Sequence, residues 1–156
     1  MPPITIRKAM PADLQALLRF QQGVVQAERP FDPTLQEGAI HYYDIPRMLE
    51  SDEVEFLLAT SGATPVGCGF ARIERSKVYL RHTHHAYLGL MYVEPAYRGS
   101  GVIGKILGSL KQWCRIRNVA ELRLEVYPDN RTAVRAYERA GFAPLYLHMR
   151  MRLNDE

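Results

Sequence analysis

The segment "YRGSGVIG", residues 97–104, sets Gly99, Gly101 and Gly104 in a G-x-G-x-x-G spacing. An alternating stretch ending at Val93 precedes it. Gly101 to Arg117 follows, with Ile103, Ile106, Leu107, Leu110 and Cys114 along one helical face. A strand, a glycine-rich loop and an amphipathic helix thus form one unit. Such a loop turns backbone N–H groups toward a ligand at the positive end of a helix dipole. The ligand that suits it carries phosphate, and the rest of the chain has to supply a sheet for the strand to join.

That sheet is visible in outline. "ITIRKA" (4–9) alternates like a strand, and Pro11 with Asp13 opens a helix whose apolar face is Leu14, Leu17, Leu18, Val24 and Val25. Residues 29–43 are irregular, broken by Pro30, Pro33 and Gly38, and a short helix is expected around 44–51. "EFLLAT" (55–60) and "PVGCGFARIE" (65–74) are two strands joined by a turn in "SGAT". Residues 77–93 hold a turn or extension and a long strand, with a bulge expected near Gly89. "AELRLEVY" (120–127) alternates through Leu122, Leu124 and Val126. Asp129 or Asn130 then caps a helix ending at Gly141, and a last strand is expected through "LYLHMRMRL" (145–153). There is no internal repeat or low-complexity linker, so residues 1–156 are expected to form one domain.

Composition narrows the partners. A chain that is 47% hydrophobic and 24% charged is not disordered. The net charge of +3 comes from interspersed acids and bases, so a phosphate-bearing small ligand suffices and no nucleic-acid partner is required. No apolar run reaches transmembrane length, and the N-terminus lacks a charged region followed by a hydrophobic one. A soluble, cytoplasmic protein with no membrane partner is expected. Cys68 and Cys114 lie in apolar stretches without metal-ligand spacing and are expected as buried thiols. His82, His84 and His85 split between two faces of one strand, and no cysteine or carboxylate nearby in sequence completes a set. No metal is therefore expected.

The glycine spacing alone also fits a dinucleotide-binding fold, with Glu121 or Glu125 as the distal acid. That fold places its loop directly after a strand, near the start of a repeating βαβ series. Here "PAYR" separates Glu94 from Gly99, the upstream strands form hairpins, and one further helix and strand follow. A dinucleotide-binding oxidoreductase is the remote alternative.

"LGLMYVEPAYRGSGVIGKIL" followed by "LRLEVYPDNRTAVRAYERAGF" resembles the core of the GNAT superfamily of N-acetyltransferases. The pattern is a strand ending V-x-P, then R-G-x-G, a helix, a strand, and N-x-x-A-x-x-x-Y-x-x-x-G-F. Val93, Pro95, Arg98, Gly99, Gly101, Asn130, Ala133, Tyr137, Gly141 and Phe142 match it, within about residues 86 to 143. One departure is Ile103, at the place usually held by Gly or Ala; Gly104 follows it. The resemblance implies an α/β (α+β) fold with a mixed, largely antiparallel sheet of about six or seven strands and about four helices. The sheet would splay between the strands at 86–93 and 120–127. It implies acetyl-CoA as co-substrate, its pyrophosphate on Arg98, Gly99, Ser100, Gly101, Val102, Ile103 and Gly104, with Lys105 adjacent. Pantetheine would run along the backbone of Met91, Tyr92 and Val93, with Asn130, Ala133 and Tyr137 beside CoA. An N–H near Leu90 or Met91 would polarise the thioester carbonyl.

Acyl transfer to an amine calls for two proton-handling groups. Tyr137 occupies the family position for the acid that protonates the CoA thiolate; by spacing alone it is a core aromatic on the helix 130–140. Asn130 by itself is a helix N-cap. His85 falls near the family position for a general base, and a bulge near Gly89 makes His84 its substitute; Glu94 and Glu55 are further candidates. Arg29, Phe31, Asp32, Tyr42, Tyr43 and Asp44 lie in the region that the resemblance implies walls the acceptor cleft. They suit a cationic amine, on a small molecule or a protein, and equally suit ordinary loop packing. A non-catalytic CoA-binding sensor of the same fold is the alternative, and a homodimer is left open.

Overall fold

The computed structural model describes residues 2–154. Strand β1 (Ile4–Lys8) leads into helix α1 (Leu14–Glu28), and helix α2 (Ile45–Glu50) follows the irregular segment. Strands β2 (Val54–Ser61), β3 (Thr64–Arg75) and β4 (His84–Val93) come next. Helix α3 (Val102–Ile116), strand β5 (Leu122–Arg123) and helix α4 (Arg131–Arg139) complete the order. The strands form one sheet in the order β1-β2-β3-β4-β5. The first three pairings are antiparallel and β4–β5 is parallel.

The sheet has two covered faces, and the sequence of β2 shows why. Within "EFLLAT" the run 56–59 is apolar without a break because both of its faces are buried. Phe56 and Leu58 pack with Leu17, Phe20 and Ile45 on the side of α1 and α2. Leu57 and Ala59 pack with Ile106, Leu107 and Leu110 of α3 on the other. Fully buried side chains of this kind contribute about 1.5–3 kcal/mol each, so the two layers fix the sheet between them. The β2–β3 hairpin closes with Ser61 opposite Thr64, and Gly62 takes a φ of +60° in the turn.

The expected bulge is present. Cys68 stands opposite Tyr92 and Phe70 opposite Gly89, two steps along β3 against three along β4. The extra residue falls beside Gly89, where Leu90 takes a φ of +49°.

The strand count differs from expectation. Among the described residues the sheet has five strands rather than six or seven. The stretch 120–127 joins the sheet only at Leu122 and Arg123, and 145–153 forms no ladder. Leu145, Leu147, Met149, Met151 and Leu153 are 65–82% exposed. Alternation gives a segment two faces, but a strand also needs a neighbouring edge to receive its N–H and C=O groups. Here the segment is tied by side chains instead: Arg150 donates to Asp32 Oδ1 at 2.8 Å and to Thr34 Oγ1 at 2.9 Å. The four α-helices match expectation. No described helix is long and apolar enough to cross a membrane.

Candidate functional site

The parallel pairing of β4 with β5 covers only Ala86–Leu122 and Tyr87–Arg123, with the Ala86 N–H donating to the Glu121 carbonyl at 2.9 Å. Past Tyr87 the two chains part. Glu94 N–H donates to Val66 O of β3 at 2.8 Å, so its neighbour Val93 turns its polar groups to the opposite, unladdered edge. The Val93 carbonyl there accepts from Arg98 Nε at 2.9 Å. A gap therefore opens beside the Leu90 bulge and runs to the loop that follows β4. The Leu90 carbonyl accepts from Cys68 Sγ at 3.2 Å, and full burial pushes the Cys68 thiol up, away from thiolate chemistry.

The glycine loop forms an open cradle at the end of this gap. Gly99 and Gly101 take φ values of +79° and +83°, the left-handed region that favours glycine. The Ser100 hydroxyl donates to the Tyr97 carbonyl, and the first helical bond of α3 runs from Lys105 N to Gly101 O at 3.1 Å. The amides of Val102, Ile103 and Gly104 precede it and find no acceptor among the described residues. A Cβ at Gly99, Gly101 or Gly104 would meet nothing within 4 Å, so the cradle has room for a ligand. Val102 is buried, and the side chain of Ile103 packs against the core under α3, which leaves its larger size outside the cradle. Arg98 sits 5.7 Å over the Tyr92 ring, and Lys105 is exposed. Donors, open space and two nearby cations fit a pyrophosphate. The sheet has antiparallel hairpins where a dinucleotide fold needs repeated βαβ units, so the remote alternative does not hold.

Helix α4 is tied at its end to α3, where Lys111 Nζ donates to the Ala140 carbonyl at 2.6 Å. Asn130 caps α4, accepting from Ala133 N at 3.3 Å, which ties two expected CoA-side residues to each other. Tyr137 packs edge-on against Phe142 at 5.9 Å. Its hydroxyl has no hydrogen-bond partner among the described residues. Burial pushes this phenol up to about 12, with the negative charge of Glu28 adding to the effect. Tyr137 is therefore a held proton near neutral pH.

The third wall comes from α1 and the segment after it. Gln21, fully buried, accepts from the backbone N–H of Tyr42 at 3.0 Å and of Tyr43 at 3.2 Å. Gln22 donates to the Ile40 carbonyl at 2.7 Å. This clamp sets Tyr43 over the sheet, edge-on to Phe70 at 4.9 Å, with Tyr42 beside it. Phe31 stacks on Tyr127 at 6.1 Å, and the Tyr127 hydroxyl donates to Asp32 Oδ2 at 3.0 Å. Of the six residues expected at the acceptor wall, Phe31, Asp32, Tyr42 and Tyr43 gather here. The other two hold the scaffold: Arg29 donates to the Gln36 and Gly38 carbonyls, and Asp44 caps α2 at the Arg47 N–H. Glu28 beside Tyr42, Tyr87 beside Tyr43 and Tyr127 beside Phe31 also gather here and carry no local signal. Glu28 ends an amphipathic helix and reads as a solvated terminus. Tyr87 and Tyr127 meet the others only through the splay.

The histidines occupy the start of β4. His85 Nδ1 is 3.0 Å from Ser76 Oγ and its Nε2 is 3.6 Å from Glu74, with burial lowering the imidazole's affinity for a proton. His84 Nδ1 is 3.0 Å from Thr83 Oγ1, and His82 Nε2 is 3.2 Å from Glu121. Glu94 faces Arg19 at 3.7 Å and Glu55 faces Lys8 at 4.0 Å. No group of three or more metal-ligating side chains occurs among the described residues.

Residues 18–142 match the family described as Acetyltransferase (GNAT) family. An aminoglycoside N(6')-acetyltransferase type 1 of Stenotrophomonas maltophilia is 27% identical over 88% of this chain and 85% of its own. The N-alpha-acetyltransferase RimI of Mycobacterium tuberculosis is 28% identical over 95% of this chain and 84% of its own. A predicted acetyltransferase from Clostridium acetobutylicum, solved with acetyl-CoA, superposes with a TM-score of 0.71 at 18% identity, covering 96% of each chain.

Proposed function

The chain belongs to the GNAT acetyltransferase family, and on that premise we propose that it moves an acetyl group from acetyl-CoA to a primary amine within the splay of β4 and β5. The observation that carries this reading is the parting of β4 and β5 past Tyr87 beside a glycine loop whose amides have no acceptor among the described residues. Acetyl-CoA supplies an activated acyl group as a thioester.

The chain's own residues supply the rest. The amides of 99–104 and the dipole of α3 hold the pyrophosphate, with Arg98 and Lys105 adding charge. The exposed edge of β4 around Met91 and Val93 receives pantetheine as a sheet edge receives an added strand. The bulge at Leu90 frees a backbone N–H for the reacting carbonyl, an interaction worth about 2.7–4 kcal/mol in comparable sites. Tyr137 hands its proton to the departing sulfur. Its raised affinity for that proton keeps it in the acid form across the physiological range.

The acceptor is an amine, on a small molecule or a protein. The aminoglycoside and N-alpha acetyltransferases among its relatives support that class, and the aromatic and acidic wall of Phe31, Asp32, Tyr42 and Tyr43 suits a cation. A cytoplasmic setting fits such chemistry. The test is a screen of amine classes with acetyl-CoA, reading thiol release. Amine-dependent turnover supports the enzyme; tight acetyl-CoA binding without turnover for any amine supports a CoA-responsive sensor instead.

A further inference from the structure

We propose that Glu28 is the acceptor's anchor and proton acceptor: the cleft takes a cationic primary amine, whose ammonium rests between the Glu28 carboxylate and the hydroxyls of Tyr43 and Tyr137. This rests on the acetyltransferase reading and names the group that reading leaves open.

Glu28 is the last residue of α1, half-buried where the helix meets the clamped segment 40–43. Phenols surround it: Tyr42 and Tyr43 from that segment, Tyr127 from beyond β5, and Tyr137 from α4. Asp32, one turn on, adds a second negative charge. No cation balances Glu28 among the described residues. Arg29, its neighbour in sequence, is committed to the Gln36 and Gly38 carbonyls, and Arg150 is committed to Asp32 and Thr34. The Tyr42 hydroxyl donates to the Glu28 carboxylate, yet a half-buried carboxylate with no countercharge remains costly. An ammonium would supply that partner, and the aromatic faces around it favour the same ligand.

The position also suits the reaction. Tyr43 brings its hydroxyl to within 2.8 Å of where a Gly89 side chain would begin, next to the Leu90 bulge, and Tyr137 feels the charges of both Tyr43 and Glu28. Glu28 thus shares the surroundings of both hydroxyls. Burial makes it a stronger base than a solvated carboxylate. His85 lies four residues before Gly89, about 13 Å along the strand, with Ser76 already on its ring. In the balanced step the amine nitrogen bonds to the acyl carbon and the carbon–sulfur bond breaks. The ammonium first gives one proton to Glu28 and attacks as the neutral amine; Tyr137 protonates the departing sulfur, the second nitrogen proton replaces the one Tyr137 gave up, and Glu28 releases its proton to solvent.

The test uses the whole chain with phenethylamine and spermidine as probes. Carboxyl NMR of the protein without acetyl-CoA is expected to show Glu28 titrating above the ordinary glutamate range and moving on amine addition. Calorimetry with CoA-loaded protein is expected to show amine affinity falling at least about tenfold in Glu28→Gln, with partial rescue in Glu28→Asp and no change in CoA affinity. The acidic limb of kcat/KM should vanish in Glu28→Gln and persist in His85→Gln, with a rate loss of about 10²-fold or more. Amine affinity and limb both retained in Glu28→Gln, or the limb lost in His85→Gln, overturns the assignment. Wild-type protein that binds acetyl-CoA but neither binds nor acetylates either probe overturns the cleft's proposed ligand class. Failure to bind acetyl-CoA overturns the acetyltransferase reading itself.

Discussion

Tyr43 stands over Gly89: a Cβ at position 89 would lie 2.8 Å from the Tyr43 hydroxyl and 2.5 Å from the Phe70 ring. The glycine lets two aromatic side chains close on the middle of β4, beside the bulge. Gly89→Ala is expected to force both aside at a cost of about 1–3 kcal/mol. Thermal unfolding reads this as a drop of several degrees, and an unchanged Tm would show that the two rings yield freely.

Gly101 combines a φ of +83° with open space around its missing side chain. Replacing it with Val strains the backbone by about 1–2 kcal/mol and turns the loop amides out of line. Acetyl-CoA affinity should fall at least tenfold, about 1.4 kcal/mol. Gly104 lies in ordinary helical backbone with the same open space, so Gly104→Ala should stabilise α3 by about 0.5–1 kcal/mol. Calorimetry and thermal unfolding check the pair.

Tyr137→Phe removes a proton and keeps the ring that packs on Phe142. The expected result is a kcat loss on the order of 10²-fold with acetyl-CoA affinity unchanged. Because the phenol is pushed up to about 12, ionisation of Tyr137 should not depress activity below about pH 11. A wild-type kcat in the variant, with chemistry shown to be rate-limiting, assigns Tyr137 to packing.

The loop was legible because its signal is local: Gly99 and Gly101 hold left-handed backbone, and the apolar stripe of α3 begins directly after them. The bulge at Leu90 was likewise within one residue of its mark. The acceptor wall was only half legible. Tyr42 and Tyr43 announced themselves by composition, whereas Glu28 gains its character from rings brought by α4 and the segment beyond β5, which no local pattern encodes. The stretch 145–153 shows the converse. Its alternation is clear, but a ladder depends on an edge elsewhere in the chain, and the segment is fixed by Arg150 on Asp32.

That Asp32 contact carries a pH dependence. The Thr34 hydroxyl, then Arg150, hold the Asp32 carboxyl well below the usual carboxylate range. A group whose folded pKa is depressed adds stability above its unfolded value, near 3.9, and loses it as pH falls toward the folded one. The stability difference between wild type and Asp32→Asn should therefore be level from pH 7 to about 5 and shrink below about pH 4. Denaturant titrations across that range check it, and a difference that grows in acid contradicts it.

The central claim is tested most directly by counting products. Protein, acetyl-CoA and a panel of primary amines are incubated, and free CoA and acetylated amine are quantified by mass spectrometry. The account predicts equal amounts of the two, formed only with amine present and reduced about 10²-fold by Tyr137→Phe. Acetyl-CoA bound by the protein but left intact with every amine would contradict it.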